Sequence, residues 1–349
     1  MELVLGMSGG VDSAAAASLL MQNGHKVHGV TLYMTDAAPP DIEGAKATAD
    51  LLHIPHTVID CRADFRREVE DYFASAYRRG ETPNPCVICN RTVKLARLLA
   101  YAKEIGAEGI ATGHYAKIGT APDGSHILQR AADLQKDQSY MLYRITKEQL
   151  DALHLPLGDH TKEEIRTFAA DAHLMPHIPH DSMDICFVPH GDYGRYLLEQ
   201  HGMQPVSGDF LDAEGKRLGQ HGGQWLYTVG QRKGFGIACG HPVYVLAKDA
   251  AANTVTVGEE AALFARGCTL RQCNLLCEVP ETLKATAKIR YSRTEAPVTA
   301  VFHADGTAHL TFDVPQRAMT CGQSAVVYVG DTVVGGGIID TVTGGACCE

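Results

Sequence analysis

The chain has 349 residues, of which 45% are hydrophobic and 21% charged, and its formal net charge is −10. A chain of this length is too long to fold around a single hydrophobic core of ordinary size. It indicates a globular protein of two or three domains. No apolar run reaches the roughly 18–20 residues of a membrane-spanning helix, and the first residues lack the basic start of a secretory signal. We therefore expect a cytoplasmic protein. In that compartment its eleven cysteines are more readily explained by reactive or metal-binding thiols than by structural disulfides.

Because the chain carries a net negative charge and phosphate contacts require lysine and arginine, any RNA-binding surface must be a local basic patch. Three clusters of basic residues are available, namely Arg91/Lys94/Arg97, Arg232/Lys233 and Lys288/Arg290/Arg293. Each cluster taken alone is more often a solvated face. The composition therefore permits a nucleic-acid partner without requiring one.

Strands alternate with helices over the first half of the chain. The predicted strands cover 3–5, 28–33, 58–60 and 109–112, and the predicted helices cover 14–23, 41–53, 64–79 and 91–105. Such alternation predicts an α/β fold with a doubly wound parallel sheet. Ligands of these sheets bind at the carboxyl ends of the strands.

The pattern changes near residue 200, where the predicted elements become short strands separated by turn residues. These strands lie at 243–248, 254–257, 298–303, 308–312 and 325–329. They predict small antiparallel β domains. We expect an α/β catalytic domain over 1–200, a small β-rich domain over 201–265 and a β-barrel-like domain over 266–349.

A glycine-rich string joins the first predicted strand to the first predicted helix: Ser8-Gly9-Gly10-Val11-Asp12-Ser13. At such a junction the backbone N–H groups and the helix dipole can hold a phosphate, and paired glycines let the backbone approach the anion. The string matches neither Gly-x-x-x-x-Gly-Lys-Ser/Thr nor Gly-x-Gly-x-x-Gly. A tight turn that merely needs glycine is the alternative, and we favour the phosphate site.

Three cysteines are candidates for chemistry. Cys86 and Cys89 follow a proline-stiffened turn, and the predicted helix begins just after them at Arg91. The helix N-terminus and the nearby Arg91 and Lys94 predict a lowered thiol pKa and a more reactive thiolate. Such a pair can be a redox dithiol, half of a metal site, or a nucleophile with a neighbour. The third, Cys186, lies in an apolar Ile-Cys-Phe setting, where a core position is the commoner role.

An ordered series of short strings runs along almost the whole chain. The strings are Gly6–Ser13, Thr82–Pro85 with Cys89-Asn90, Ala111–Tyr115, Lys136–Tyr140, Asp181-Ser182 with Ile185–Phe187, Gly230–Gly234, Arg290-Tyr291 and Gly322–Ala325. The first string resembles the signature of the PP-loop ATP pyrophosphatases, and the full series resembles the bacterial tRNA 2-thiouridylase family. The resemblance implies an adenine nucleotide alpha hydrolase-like domain followed by two small β-rich domains.

The resemblance implies ATP-dependent 2-thiolation of the wobble uridine, U34, of tRNA. ATP with Mg²⁺ would bind at Gly6, Met7, Ser8, Gly9, Gly10, Val11, Asp12 and Ser13, with Leu32 and Gly113 near the adenosine. Asp12 would orient the loop or the magnesium. Adenylation of the uridine O2 would turn a poor leaving group into AMP.

The resemblance also implies how sulfur arrives. An upstream donor or relay protein would load Cys186 as a persulfide, which delivers sulfur to C2 of the uridine. Cys89 would attack the persulfide and leave a Cys89–Cys186 disulfide. In a variant of this scheme, Cys89 frees sulfide from Cys186 before C2 is attacked.

The tRNA contacts follow from the same resemblance. Asn84, Pro85 and Cys86 would border the target base, and the other contacts would come from His114, Lys136, Asp137, Gln138, Arg290, Tyr291 and Gln323. A uridine must leave its stack to be modified, which suits a pocket. We expect a monomer that acts on the anticodon region of one tRNA.

The chain departs from the better-known members of this family at Cys86, where they commonly have aspartate. Cys86, Cys89 and Cys186 could together ligate a [4Fe–4S] cluster with one iron left open to bind sulfide. Both schemes need Cys89 and Cys186, whereas only the cluster clearly needs Cys86. The sequence leaves both schemes open.

Two other functions compete with tRNA thiolation. A PP-loop ligase or amidotransferase acting on a small molecule would need neither the Cys89/Cys186 pair nor a β-rich tail. A non-catalytic RNA-binding or sulfur-carrier module would have no use for a loop that holds pyrophosphate. Each alternative leaves one half of the motif set unexplained.

Overall fold

The computed structural model describes residues 1–174, 185–237, 240–292 and 294–344. The predicted string at Asp181-Ser182 and the basic residue Arg293 lie outside the described residues. No helix in the described part of the chain is long and apolar enough to cross a membrane.

The strands in chain order are β1 (Glu2–Gly6), β2 (Lys26–Tyr33), β3 (His56–Asp60), β4 (Gly109–Ala111), β5 (Lys117–Thr120), β6 (His126–Gln129), β7 (Leu153–His154), β8 (Gly208–Leu211), β9 (Arg217–His221), β10 (Tyr244–Asp249), β11 (Thr254–Gly258), β12 (Phe264–Leu275), β13 (Thr282–Lys288), β14 (Ala296–Phe302), β15 (Ala308–Arg317), β16 (Ser324–Val329) and β17 (Thr332–Thr343). The helices are α1 (Val11–Gln22), α2 (Ile42–Leu51), α3 (Arg62–Phe65), α4 (Asp71–Arg78), α5 (Pro85–Cys89), α6 (Leu95–Ile105), α7 (Ser139–Leu142), α8 (Lys147–Ala152), α9 (Lys162–Asp171) and α10 (Tyr193–His201). Two π-helical turns, Arg66–Glu70 and Asn90–Lys94, connect α3 to α4 and α5 to α6.

The first sheet is parallel throughout, with its five strands in the order β3-β2-β1-β4-β7. Its central strand is an apolar run, and Leu3, Val4 and Leu5 are fully buried, as expected for a strand covered on both faces. Helices α1 and α6 pack against this strand. The predicted doubly wound parallel sheet is confirmed.

The predicted helix at 91–105 begins earlier than the sequence indicated. The helical segment starts at Pro85, so Cys86 and Cys89 lie inside it, in α5, rather than before it. Proline is favoured at the first helical position, because its missing N–H has no partner there in any case. The Asn84 side chain caps this helix by accepting from the Cys86 N–H at 3.2 Å.

The second sheet has the order β10-β11-β8-β9. It is not wholly antiparallel as predicted, because β8 and β11 pair in parallel. The connection between them runs through the two other strands of the sheet.

The third sheet contains a closed barrel of six strands in the order β12-β15-β14-β13-β16-β17, with β12 also pairing with β17. Along β14, buried residues alternate with more exposed ones, so one face forms the barrel core. The hairpin of β5 and β6, which the sequence did not reveal, joins β17 through the pair Thr332 and Gln129. The first region is thus hydrogen-bonded to the barrel, and the domain boundaries at 200 and 265 stay a prediction.

Candidate functional site

The glycine-rich loop connects β1 to α1 at the carboxyl edge of the parallel sheet. Gly9 has a φ of +81°, and a Cβ there would lie 2.7 Å from the backbone oxygen of Asp41, so glycine is required at this position. Gly10 is the N-cap of α1 and supplies no side-chain cap. The N–H groups of the first helical turn therefore remain available to an anion.

Serine hydroxyls fix the shape of this loop from within. The Ser13 hydroxyl donates to the Gly10 carbonyl oxygen at 2.9 Å and accepts from the Ser8 N–H at 3.2 Å. The loop is also tied to the sheet, because the Met7 N–H donates to the Val30 carbonyl of β2 at 2.8 Å. These bonds hold the backbone in one arrangement before any ligand binds.

Asp12 lies in the first turn of α1 and is held by two side chains from distant parts of the chain. The Tyr115 hydroxyl donates to its Oδ1 at 2.9 Å, and the Lys162 ammonium contacts its Oδ2 at 2.7 Å. The Lys162 side chain is only 8% exposed. The carboxylate of Asp12 is therefore fixed in place and has both oxygens engaged.

The two residues expected near the adenosine lie beside this loop. Gly113 packs against the first turn of α1, and a Cβ at Gly113 would meet the backbone carbon of Asp12 at 3.1 Å. Leu32 is in β2, two positions beyond the residue that pairs with Gly6, and is 9% exposed. The loop, Leu32 and Gly113 therefore share the carboxyl end of adjacent strands, as the sequence predicted for a nucleotide site.

The cysteines reach the same edge of the sheet. Cys89 is buried, and its sulfur lies 3.9 Å from the Sδ of Met34, which directly follows β2. Cys186 is exposed, while the next residue, Phe187, is buried with its ring 5.5 Å from that of Phe65 and 5.3 Å from that of Phe73. Cys86, Cys89 and Cys186 are all free thiols.

The prediction of a lowered thiol pKa at Cys86 and Cys89 was wrong. Burial raises the pKa of Cys86, and burial raises the pKa of Cys89 to about 12, although the charge of Lys94 opposes both shifts. Burial raises the pKa of Cys186 as well, because protein crowds its thiol even though the residue is exposed. Desolvation of a thiolate outweighs the helix N-terminus and the nearby cation, so all three sulfurs rest as thiols.

The cluster hypothesis requires three thiols gathered around one point. Among residues 1–174, 185–237, 240–292 and 294–344, no group of three or more His, Cys, Asp or Glu side chains is placed to hold a metal ion. The described positions of Cys86, Cys89 and Cys186 therefore give the cluster hypothesis no support.

The segment before the cysteine helix is held by the barrel. The Gln323 amide donates to the Thr82 carbonyl at 2.7 Å, and the Thr82 N–H donates to the Cys321 carbonyl at 2.9 Å. At the other side, the Asn84 amide lies 3.7 Å from the Sδ of Met141. Gln323, predicted as a tRNA contact, therefore lies beside the segment that carries Asn84 and Pro85, which were predicted to border the target base.

A second group of predicted residues lies where the 134–138 loop meets the barrel. A pocket of about 220 Å³ there is lined by Leu134, Gln135, Asp137, Lys288, Tyr291 and Ser292. Tyr291 is 49% exposed, and its hydroxyl donates to the backbone oxygen of Asp137 at 3.4 Å. Arg290 is exposed and Lys136 is half-buried, so both present charge near the pocket.

Three other predicted tRNA contacts face inward. The Asp137 carboxylate accepts from the Ser139 hydroxyl at 2.9 Å and lies 3.5 Å from the Lys288 ammonium, with both side chains almost fully buried. The Gln138 side chain accepts from the Tyr115 N–H at 2.9 Å. Burial, followed by the charge of Lys94, lowers the pKa of His114 to about 3. In this structure Asp137 and Gln138 shape the loop, and His114 is neutral.

Family models and known proteins resemble this chain along almost its whole length. Three family models match in succession: a tRNA methyl transferase HUP domain over residues 1–190, a tRNA methyl transferase PRC-barrel domain over 195–259 and an aminomethyltransferase beta-barrel domain over 265–339. A tRNA-specific 2-thiouridylase MnmA from Moorella thermoacetica is 45% identical, over 97% of this chain and 99% of its own length. One from Treponema denticola is 42% identical, over 98% of each chain. The chain belongs to the tRNA-specific 2-thiouridylase family.

Among solved structures, a 4-thiouridine synthetase in complex with RNA and ATP is 17% identical to this 2-thiouridylase family member. The match covers 57% of this chain and 50% of the synthetase chain, with a TM-score of 0.34.

Sequence reasoning missed the residues that hold Asp12. Lys162 lies 150 positions from Asp12 and Tyr115 lies 103 positions away. Tyr115 belonged to a recognised string but carried no predicted role. Lys162 stands at the start of an ordinary amphipathic helix, after the capping residue Thr161, and nothing local marks it as part of a nucleotide site.

Proposed function

We propose that this chain catalyses the ATP-dependent 2-thiolation of the wobble uridine of tRNA. One observation carries the proposal: the phosphate loop and the cysteine helix meet at the carboxyl edge of the same parallel sheet. The loop follows β1, and Cys89 contacts Met34 at the end of the adjacent strand β2. The names of the two relatives described above support tRNA as the substrate.

The first half of the reaction is activation of the base. The uridine O2 attacks the α-phosphorus of ATP, an oxygen–phosphorus bond forms, and the bond to pyrophosphate breaks. The loop from Gly6 to Ser13 holds the departing pyrophosphate through N–H groups that are already in place. Because Tyr115 and Lys162 occupy both oxygens of Asp12, we assign Asp12 to loop orientation, with Mg²⁺ accompanying the phosphates of ATP.

The second half is delivery of sulfur. A donor loads Cys186, the exposed residue among these three cysteines, as a persulfide. The outer sulfur forms a bond to C2, AMP leaves with O2, and the Cys89 thiolate attacks Cys186 Sγ as its bond to the outer sulfur breaks. The products are 2-thiouridine, AMP and a Cys89–Cys186 disulfide that an external thiol must reduce.

We favour this persulfide scheme over a cluster, because no group of side chains placed to hold a metal is found among the described residues. The role of Cys86 is then to border the target base together with Asn84 and Pro85. Asn84 caps the cysteine helix and Gln323 fixes the segment ahead of it, so these residues set the position of Cys89 relative to the base.

We further propose that tRNA lies across the junction between the parallel-sheet region and the barrel. Tyr291 lines the small pocket there, and Arg290 and Lys136 directly adjoin lining residues in the chain. All three would contact the RNA directly. Asp137, Gln138 and His114 contribute by fixing the loops that shape this surface. The protein would act as a monomer on one tRNA.

The proposal is tested by incubating the protein anaerobically with a tRNA transcript, ATP and a small persulfide donor. Nucleoside mass spectrometry should find 2-thiouridine, and fragment mapping should place it at the wobble position only when ATP is present. Iron should be absent from a preparation that turns over repeatedly. Thiolation without ATP, or activity that tracks iron content, would overturn the proposal.

A further inference from the structure

Lys94 ends the π-helical turn that follows the cysteine helix. Helix α5 ends at Cys89, the turn covers Asn90–Lys94, and α6 begins at the next residue. A π turn holds i→i+5 bonds, and such turns are found most often at functional sites. Because one turn takes about 4–5 residues in this geometry, Lys94 lies roughly one turn beyond Cys89 on the same side of the helix.

The surroundings of Lys94 contain thiols in place of carboxylates. The residue is half-buried, and no hydrogen bond or ion pair joins its side chain to another residue in the described ranges. Burial acts to lower the pKa of Lys94, but the thiols of Cys89, Cys86 and Cys186 outweigh it and raise that pKa. A buried ammonium is costly unless an anion lies close to it, so a sulfur anion that forms beside Lys94 would be stabilised by it and would stabilise it in turn.

Among the residues that the structure describes, the other titratable groups around the sulfurs do not supply this charge. Cys89 faces Cys186, Cys86 and Cys61 in addition to Lys94. His114 also feels the charge of Lys94, and it is neutral at pH 7 because its pKa lies at about 3. Among the described residues that act electrostatically on Cys89, Lys94 is the single cation.

We propose that Lys94 is a positioning residue whose ammonium stabilises anionic sulfur at Cys89 and Cys186 during sulfur transfer. The inference rests on the proposed function and adds a residue to it. Before attack, the Cys89 proton passes to solvent and Lys94 balances the thiolate. As the Cys89–Cys186 bond forms, the electron pair of the breaking sulfur–sulfur bond stays on the outer sulfur, which is already bonded to C2.

The test measures alkylation of the free enzyme by iodoacetamide across a range of pH, with each cysteine followed by peptide mass spectrometry. In Lys94→Met, alkylation of Cys186 and Cys89 at neutral pH should slow by about tenfold, equivalent to a pKa raised by about one unit. Lys94→Arg keeps the charge and should stay within about twofold of wild type. Lys103→Met, on the exposed side of α6 in a pair with Glu148, is the matched control and should change nothing.

A wild-type measurement covers the case in which the neutral variants do not fold. A nearby cation attracts an anionic reagent, so Cys186 should prefer iodoacetate over iodoacetamide more strongly than free cysteine does. Identical alkylation profiles for Lys94→Met and wild type, or a reagent preference equal to that of free cysteine, would overturn the inference.

These measurements use neither ATP nor tRNA, so their failure leaves the proposed function standing. If the inference and the proposed function both hold, Lys94→Met should also lower 2-thiouridine formation by about tenfold. Adenylation should stay within about twofold of wild type. A loss of adenylation equal to the loss of thiolation would show that Lys94 supports the fold instead.

Discussion

The phosphate loop and the cysteine pocket share one edge of a sheet, yet they differ in how far they are prepared for reaction. In the loop, Gly10 leaves N–H groups free and Asp12 is clamped by Tyr115 and Lys162. In the pocket, burial raises the pKa of Cys89 and Cys186, so the sulfurs rest uncharged. The comparison teaches that the ATP half is preorganised, whereas the sulfur half gains its charge only during turnover.

The largest expected effect comes from removing either reactive sulfur. Cys89→Ser and Cys186→Ser should each lower 2-thiouridine formation by on the order of 10³-fold or more, because serine cannot carry or attack a persulfide in this way. Pyrophosphate release from ATP in the presence of tRNA should stay near wild type. Cys86→Ser is the matched control and should retain most thiolation, and a loss equal to that of Cys89→Ser would revive the cluster scheme.

Asp12→Asn tests the preorganised half. The amide cannot accept from Tyr115 and Lys162 as the carboxylate does, and Lys162 loses its ion pair. A loosened loop should slow adenylation by about 100-fold, measured as pyrophosphate release. Glu43→Gln changes an exposed acidic residue in the first turn of α2 and serves as the control. Equal effects of the two substitutions would show that helix charge, and not the clamp, matters.

Because the thiols rest uncharged, the two halves of the reaction should respond differently to pH. A raised pKa means less thiolate at a given pH, so alkylation of Cys89 should rise about tenfold per pH unit from pH 7 to 9 and continue toward its pKa of about 12. Adenylation should not follow this rise. A Cys89 profile that levels off below pH 8 would contradict the uncharged resting state.

The smallest effect is expected where the barrel supports the pocket. Gln323→Ala removes the donor to the Thr82 carbonyl and leaves that oxygen unpaired, at a cost of about 1 kcal/mol. Thiolation should fall by about fivefold with adenylation unchanged. Gln316→Ala, which removes a bond within one strand of the barrel, is the control. If both variants behave alike, the link from barrel to pocket carries no functional weight.

The sequence predicted those parts of the site that are local in the chain. The string from Ser8 to Ser13 sits between a strand and a helix, and its chemistry follows from that junction alone. The start of the cysteine helix was misplaced, because Pro85 was taken as part of a turn when Asn84 capping and proline at the first position mark a helix start.

Features that depend on tertiary contacts could not be predicted. Whether a thiol at a helix N-terminus ionises depends on how much protein covers it, and burial reversed the expectation for Cys89. The hairpin of β5 and β6 joins the barrel through a strand some 200 positions later, a pairing that neither strand reveals alone. The family resemblance supplied the names of Asp137 and Gln138, but not that their side chains face inward.

The central claim is that the two halves perform one reaction, in which ATP activates the same atom that sulfur replaces. The most direct measurement uses tRNA whose wobble uridine carries a heavy oxygen isotope at O2, with mass spectrometry of the AMP released during thiolation. The account predicts that the heavy oxygen appears in the AMP phosphate, one label for each 2-thiouridine formed. Unlabelled AMP alongside 2-thiouridine would contradict it.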